Sequence, residues 1–316
     1  MHATDSWFDQ REKCPICHGS QFRLVHAAPF DQPPLRDYFK LYDEIGGVEF
    51  DIMQGAEYRL CECAQCRGLF QQNIPNDALM VRLYEQWIDP EKARERHRQQ
   101  DNLDLYAHHA QEMLQLIAYF GRKPAELAFF DFGMGWGQWL LMAKAFGCQT
   151  AGAELSEARI NHAHANGLKT ITWNEIPGQQ FDFINTEQVF EHIPEPLETL
   201  RHLKKALKPG GVIKISVPDA EGIDRSLETM DWQAPRKHRN SLNAVAPLEH
   251  INCYRRESFA VMAAQAGMEE VALPLRLQYK YWFAWGKPAR IAKNLVLPIY
   301  RNILRKQNYV LLRSVS

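Results

Sequence analysis

Short apolar runs alternate with stretches of helical periodicity from residue 126 to the end of the chain. Helices are predicted at residues 138–146, 157–166 and 198–207, each of which lies between two apolar runs. The runs themselves predict strands at residues 127–132, 150–155, 169–173, 181–185, 212–217, 270–275 and 309–313. This alternation is typical of an α/β fold with a mainly parallel sheet that helices cover on both faces.

Two further regions precede this alternation. Residues 76–120 are predicted to be helical, because Asn76 and Asp77 can cap a first helix and apolar side chains recur later at i, i+3, i+4 and i+7. Residues 1–75 have few helical periods and are rich in Cys, Pro, Gly and aromatic residues, as expected of a small domain held by a metal rather than by a core. We therefore predict a zinc-binding module at 1–75, a helical connection at 76–120 and an α/β domain at 121–316.

The composition is that of a globular protein, with 46% hydrophobic and 24% charged residues and 37 basic against 38 acidic side chains in 316 residues. It excludes intrinsic disorder and a disulfide-dense mini-protein. No apolar run approaches the roughly 20 residues of a membrane span, and the first 20 residues lack the apolar segment of a secretory signal, so a cytoplasmic location is predicted.

The near-neutral charge conceals an uneven distribution. Residues 271–316 contain nine Lys and Arg side chains and no Asp or Glu. Such a segment suggests an anionic ligand or surface, and a solvated basic helix explains it equally well.

Two pairs of cysteines lie about 45 residues apart in the first region. Cys14 and Cys17, like Cys63 and Cys66, are separated by two residues. Four thiolates form a closed tetrahedral site, the structural kind of zinc site. Cys61 or His18 could replace one ligand, and unrelated buried cysteines are the structural alternative.

A glycine-rich loop, Asp131-Phe-Gly-Met-Gly-Trp-Gly137, follows an apolar strand and precedes a helix. Glycines at this position let a ligand approach the backbone at the carboxyl end of the strand. Glu154 stands at the end of the next strand, 21 residues after Gly133, where its carboxylate can accept hydrogen bonds from ribose hydroxyls. The alternative is a glycine turn that serves only strand-to-helix packing.

Four features of this region resemble, in order and separation, the class I S-adenosylmethionine-dependent methyltransferases. They are the loop 131–137, Glu154, residues 181–193 and the turn Leu207-Lys-Pro-Gly-Gly211. The resemblance covers about residues 125–220. It implies a Rossmann-like seven-stranded sheet whose last strand is antiparallel, with S-adenosylmethionine as cofactor. It also implies that Gly133, Gly135 and Gly137 line the amino acid and ribose part of the cofactor. Glu154 would hold the ribose, Asn174 would face the adenine, Gln188 would lie beside the methionine portion, and Asp131 and Leu155 complete the implied set.

A cysteine-pair module before such a domain resembles, more loosely, the sugar C-methyltransferases and related enzymes of polysaccharide and natural-product pathways. The chain shows no second C-terminal domain of the length that those C-methyltransferases carry. This difference favours transfer to oxygen rather than carbon, on a sugar or another small hydroxylated acceptor.

Methyl transfer to a hydroxyl requires removal of its proton, and a neutral histidine suits that task. His250 is the first candidate base and His192 the second, because both follow strands whose carboxyl ends would line the site. Glu191 could orient a ring nitrogen. For each histidine the structural alternative is support of a loop or a helix cap.

An aromatic and basic insert at about 276–308 separates the last two predicted strands. Its aromatic residues, with the lysines and arginines around them, would suit a nucleotide-linked or lipid-phosphate-linked glycan. Packing of the aromatics in a core is an equal alternative, and docking on a membrane surface is a third. The aromatic residues are Tyr279, Tyr281, Trp282, Phe283 and Trp285.

Two other functions compete with saccharide methylation. An RNA methyltransferase is disfavoured, because residues 185–188 lack the Pro-Pro-aromatic turn of base-amine methyltransferases and the first 75 residues carry more acidic than basic side chains. A non-catalytic scaffold is disfavoured by the complete glycine set and Glu154.

Overall fold

A computed structural model describes residues 7–42, 47–88, 92, 95, 102–236, 238–280, 291–292, 295–296, 298–299 and 309–315. The chain forms two compact units. The first unit contains residues 1–101, 191–196 and 220–262, and the second contains residues 102–190, 197–219 and 263–316.

The strands of the described residues are β1 (Phe8–Gln10), β2 (Phe22–Pro29), β3 (Glu57–Cys63), β4 (Leu69–Gln71), β5 (Asn73–Pro75), β6 (Ala128–Phe132), β7 (Gln149–Ala153), β8 (Lys169–Thr170), β9 (Phe181–Glu187), β10 (Leu207–Ser216), β11 (Asn252–Cys253), β12 (Met268–Val271) and β13 (Tyr309–Ser314). The α-helices are α1 (Leu35–Tyr38), α2 (Asp77–Arg82), α3 (Leu103–Phe120), α4 (Gln138–Ala145), α5 (Glu157–Ala165), α6 (Pro196–Lys204), α7 (Ile223–Thr229), α8 (Arg256–Gln265) and α9 (Leu275–Lys280). Shorter helical turns lie at Phe39–Tyr42, Phe50–Met53, Leu83–Trp87, Pro124–Glu126, Trp173–Gly178, Phe190–His192 and Asn243–Val245.

The second unit contains a seven-stranded sheet in the order β12-β13-β10-β9-β6-β7-β8. The strands from β10 to β8 pair in parallel, whereas β13 is antiparallel to both β10 and β12. The predicted Rossmann-like sheet with an antiparallel last strand is thereby confirmed.

Helix α3 covers part of this sheet because its apolar side chains recur on one face. Met113 and Leu116 are fully buried among Phe129, Phe183 and other core residues. The side chain of Asn102 caps the helix by accepting hydrogen bonds from two backbone amides, and Gly121 ends it in the left-handed conformation. The periodicity predicted for this segment is confirmed.

The predicted helix 198–207 is wrong at its end. Helix α6 ends at Lys204, and Leu207 already pairs with Phe181 as the first residue of β10. The pairing of β10 with β9 then shifts register between Leu207 and Val212, where Gly210 has a φ of 77°. The glycine turn therefore interrupts a strand instead of preceding it.

In the first unit, four antiparallel strands form a sheet in the order β11-β4-β3-β2, and β1 pairs with β5. Because β11 adds to β4, residues far along the chain fold together with the N-terminal residues. The compact units therefore differ from the predicted division at residue 75.

The first unit also has an aromatic core, which the sequence did not lead us to expect. Tyr58 is fully buried and its ring meets Trp232 edge-on at 5.5 Å between centroids, while Tyr38 meets Trp232 at 5.7 Å. Phe30, Phe39 and other apolar residues complete this cluster. The first unit therefore has a hydrophobic core of its own, contrary to the expectation that a metal holds it in place of a core.

Among the described residues, no helix has both the length and the apolar character needed to cross a membrane. The predicted aromatic and basic insert falls largely outside them. Tyr281, Trp282, Phe283 and Trp285 all lie outside the described residues.

Candidate functional site

The glycine loop connects β6 to α4 in the second unit. Gly133, Gly135 and Gly137 have φ values of 75°, 56° and 77°, a backbone region that L-residues with side chains rarely adopt. A Cβ atom at Gly133 would lie 2.6 Å from Val189, and one at Gly137 would lie 2.7 Å from Leu168. A Cβ at Gly135 would meet nothing within 4 Å, so the middle of the loop borders open space.

Glu154 lies directly after β7 and contacts this loop. Its Oε2 accepts a hydrogen bond from the Gly135 amide at 2.9 Å, and its Oε1 accepts from the amides of Leu155 and Ser156 at 2.9 and 3.1 Å. A carboxylate offers about four acceptor sites, so about one remains for a ribose hydroxyl. The Leu155 side chain is 99% exposed, an unusual state for leucine that leaves an apolar surface beside the acid.

Asp131 has a buried side chain. Its Oδ1 accepts a hydrogen bond of 2.8 Å from Asn185 on the neighbouring strand β9. Burial raises the pKa of Asp131 to about 7, against the lowering effect of that hydrogen bond. The residue therefore links the two strands at the base of the loop.

The two other predicted cofactor residues have exposed side chains. Asn174 lies in the turn Trp173–Gly178, where the neighbouring Trp173 ring stacks on His202. Gln188 has a φ of 55° directly after β9, and its backbone N–H donates a hydrogen bond of 2.8 Å to the carbonyl of Ser216. The roles predicted for both residues stay predictions.

A buried lysine, which the sequence analysis missed, lies on the same sheet. The ammonium group of Lys214 lies 2.8 Å from Glu112 and 2.9 Å from Glu187. Trp139 donates a further hydrogen bond to Glu112. Burial alone would raise the pKa of Glu112, but the Lys214 charge lowers it to about 2. No sequence spacing could have linked residues 102 positions apart.

In the first unit, the four predicted cysteines come together. Their sulfur atoms lie within 4.8 Å of one another, and the pairs Cys14–Cys66 and Cys17–Cys63 are 3.6 and 3.5 Å apart. Sulfur atoms at about 2.3 Å from a tetrahedral zinc ion would lie about 3.8 Å apart. All four are buried, and this group contains neither Cys61 nor His18.

The chemistry of these thiols also fits a cation. Cys14 and Cys66 share a hydrogen bond, which raises the pKa of Cys14 and lowers that of Cys66 to about 6. Burial raises the pKa of Cys17 to about 12. Four thiolates in one buried place need a compensating positive charge, which a divalent ion supplies.

The three predicted catalytic residues also form one cluster in the first unit. Glu191, His192 and His250 each offer one ligand atom, and these atoms lie within 4.8 Å of one another. The Nε2 atom of His192 is 3.7 Å from Oε1 of Glu191, and the two imidazole centroids are 5.0 Å apart.

Backbone carbonyls orient both imidazoles. Nδ1 of His192 lies 2.8 Å from the carbonyl oxygen of Glu249, and Nδ1 of His250 contacts that of Asn243. A carbonyl only accepts hydrogen bonds, so each Nδ1 carries the proton and each neutral ring has its lone pair on Nε2. Burial lowers the pKa of His192, and burial together with the neighbouring His192 lowers that of His250 to about 3.

Two buried side chains of the N-terminal segment hold the backbone of this cluster. Arg11 donates hydrogen bonds to the carbonyls of Pro194 at 2.7 Å and Ile251 at 3.0 Å and to the Asn252 side chain at 3.0 Å. Gln71 donates to the carbonyls of Ala246 and His250. Sequence reasoning missed both residues, since nothing local marks them.

A family model described as "Methyltransferase domain" matches residues 106–273. Curated relatives named "Ubiquinone biosynthesis O-methyltransferase" are also similar to this chain. The protein from Dinoroseobacter shibae is 31% identical over an alignment of 118 residues, and the match covers 32% of this chain and 48% of that protein. The protein from Ruegeria pomeroyi is 34% identical over an alignment of 102 residues, and the match covers 29% of this chain and 41% of that protein. The matched part is about half the length of these relatives or less.

Among solved structures, the plantazolicin methyltransferase BpumL in complex with SAH has 17% identity and a TM-score of 0.46, covering 75% of this chain and 95% of that chain. Streptomyces venezuelae DesVI has 24% identity and a TM-score of 0.30, and the match covers 35% of this chain and 50% of that chain.

Proposed function

This chain belongs to the methyltransferase domain family, and from that premise we propose that it transfers a methyl group from S-adenosylmethionine to a hydroxyl group of a sugar or another small acceptor. The cofactor supplies the methyl group already activated on a sulfonium. The chain itself has to bind the cofactor, orient the acceptor and remove the hydroxyl proton.

One observation carries the proposal: the Gly135 amide and the Glu154 carboxylate are in contact where the loop borders open space. A nucleoside bound there would meet backbone amides, an acceptor for its ribose and the exposed Leu155 side chain. Four further residues would complete the site: Gly133, Gly137, Asn174 and Gln188. The buried Asp131 would support it through its hydrogen bond with Asn185.

We assign removal of the proton to the cluster of Glu191, His192 and His250. Both imidazoles are oriented by carbonyls that fix the lone pair on Nε2, as a proton-accepting histidine requires. His250 remains the first candidate and His192 the second.

Oxygen as the acceptor atom is supported by relatives whose names contain "O-methyltransferase". A saccharide, anionic if nucleotide- or phosphate-linked, is supported only by the looser resemblance to enzymes of polysaccharide pathways. A structural zinc ion at the four cysteines is supported by their spacing. A cytoplasmic location belongs to the same proposal.

Calorimetry with S-adenosylmethionine tests the cofactor part. Glu154→Gln is expected to weaken binding at least tenfold, because a neutral amide donates where the carboxylate accepted. The matched control is Glu157→Gln, an exposed acid in the first turn of α5. Equal affinities of both variants and the wild type would refute this cofactor site.

Labelled methyl transfer tests the acceptor. Incubation of the protein with labelled cofactor and a cell extract, followed by fractionation, is expected to place the label in small hydroxylated compounds. Label in nucleic acid would instead support an RNA methyltransferase. A protein that binds the cofactor but transfers no label to any fraction would support a non-catalytic scaffold.

A further inference from the structure

We propose that Glu191, His192 and His250 form a second metal site, separate from the four cysteines, for a divalent cation that accepts nitrogen and oxygen ligands. The binding of the ion stands apart from the proposed function. Only its consequence for an acceptor hydroxyl rests on that function.

The ligand atoms are the first argument. Two imidazoles and one carboxylate bring their donor atoms within 4.8 Å of one another, and Nε2 of His192 is already 3.7 Å from Glu191. Bonds of about 2.0 to 2.2 Å to a tetrahedral zinc ion would separate such atoms by about 3.4 Å. Small side-chain rotations therefore suffice to close the three groups on one ion.

The surroundings of the imidazoles are the second argument. Metal-bound histidines usually donate their other ring N–H to a carbonyl or a carboxylate, which fixes the tautomer. Both histidines already do so, His192 to Glu249 and His250 to Asn243. The hydroxyl oxygen of Tyr84 lies 3.1 Å from the same nitrogen of His192. In both rings Nε2 thus keeps the lone pair that a metal ion needs.

The rigidity of the framework is the third argument. Asn252 donates a hydrogen bond of 2.7 Å to the carbonyl of Ile193, and so ties the segment of His192 to that of His250. Arg11 binds both segments, at Pro194 and Ile251, and Gln71 on β4 binds the segment of His250. A metal site needs this kind of support, because ligands on unsupported loops lose the required geometry.

Two neutral imidazoles and one carboxylate leave a fourth position open, as in catalytic rather than structural zinc sites. A hydroxyl at that position loses its proton to water more readily, because the ion stabilises the oxyanion. The histidines act in this case as ligands, and the ion takes over the task assigned above to an imidazole.

Metal analysis of the wild-type protein tests the site without reference to activity. After dialysis with zinc, two ions per chain are expected, one of which a mild chelator removes while the four-thiolate ion stays. Co²⁺ added to the chelator-treated protein should then give calorimetric heat and visible absorption without a thiolate charge-transfer band. One ion per chain and no heat with Co²⁺ would overturn the proposal.

Variants locate the ion. His192→Gln, His250→Gln and Glu191→Gln should each weaken Co²⁺ binding at least tenfold and leave the retained zinc at one per chain. His164→Ala, an exposed histidine of α5 in the second unit, is the matched control and should bind as the wild type does. The retained zinc and the melting temperature show whether each variant is folded. Unchanged Co²⁺ affinity in all three folded variants would place the ion elsewhere and refute the site.

Calorimetry with S-adenosylmethionine on the same samples separates the two proposals. Cofactor heat without a second ion would overturn the metal site and leave an imidazole base in place. A second ion without cofactor heat would overturn the methyltransferase function and leave the metal site.

Discussion

The cofactor loop and the histidine cluster are built in opposite ways. The loop consists of backbone amides and one carboxylate from a single continuous stretch, from Asp131 to Leu155. The cluster depends on side chains whose partners are up to 241 positions away, as with Arg11 and Asn252. A site made from neighbouring residues can be predicted from the local sequence. A site assembled from distant residues depends on how the rest of its unit folds.

Loss of the zinc ion proposed at the four cysteines should give the largest effect and sharpen this comparison. Cys63→Ser removes a thiolate ligand from β3, the strand that pairs with both β2 and β4. We expect a loss of more than about 5 kcal/mol of unfolding free energy for the first unit, because the free energy of binding structural zinc contributes to folding. Calorimetric melting and zinc content measure it.

Cys61→Ser is the matched control for this variant, since Cys61 is buried on the same strand but outside the four-sulfur group. It should keep one tightly bound zinc. Loss of zinc from Cys61→Ser, with zinc retained in Cys63→Ser, would reverse the ligand assignment.

Asp131 should give the next largest effect, in the second unit. Because burial raises its pKa to about 7, the native protein holds a proton that the unfolded chain releases near pH 4. The stability of the wild type should therefore fall as the pH rises from about 4 to about 7, by at most about 4 kcal/mol. Asp131→Asn lacks this component, and denaturant unfolding at several pH values measures the difference.

Asp182 provides a control of opposite sign in the same sheet. Although burial opposes it, hydrogen bonds from Lys208, the Ala128 amide and Arg122 lower the pKa of Asp182. The contribution of the Asp182 carboxylate to the unfolding free energy should be lost as the pH falls. The difference in unfolding free energy between Asp182→Asn and the wild type should therefore become smaller under acid conditions. Parallel pH profiles for the two variants would contradict both assignments.

Arg11 tests whether distant contacts hold the histidine cluster. Arg11→Met should cost about 3 kcal/mol of unfolding free energy, because the buried carbonyl of Ile251 and the carbonyl of Pro194 lose their charged donor. Cofactor affinity should stay unchanged, since the loop and Glu154 bind one another without Arg11. Arg36→Met, whose arginine makes one exposed hydrogen bond, is the control. A cofactor affinity that falls with Arg11→Met but not with Arg36→Met would break the comparison.

Much of the second unit could be predicted from sequence, because its determinants are local. A strand lies at each of the seven predicted places, although the one predicted at 270–275 ends at Val271 and Leu275 already begins α9, and the one predicted at 169–173 ends at Thr170. The errors arise where local signals are ambiguous: the apolar residue Leu207 fits a helix as well as a strand, and pairing with Phe181 decides the matter.

The first unit was harder to predict for the same physical reason. The cysteine pairs were visible because metal ligands have a fixed spacing. Nothing near residues 220–262 indicates that Asn252 pairs with Phe70, or that Trp232 packs on Tyr58. Arginine is rarely buried, so Arg11 would be assigned to the surface from its type alone.

Helix caps should give the smallest effect and the same effect in both units, because they are local wherever they occur. The side chain of Asn76 accepts a hydrogen bond from the Leu79 amide at the start of α2, and that of Asn102 accepts from two amides at the start of α3. Replacement of either by alanine should cost about 1 kcal/mol. Denaturant unfolding measures both losses, with the exposed Asn174→Ala as the uncapped control. Asn76→Ala could instead destabilise the first unit several times more than Asn102→Ala destabilises the second. Even a helix cap of the first unit would then depend on distant contacts. The two units would differ as wholes, and the difference would not be one between sites built from neighbouring residues and sites built from distant residues.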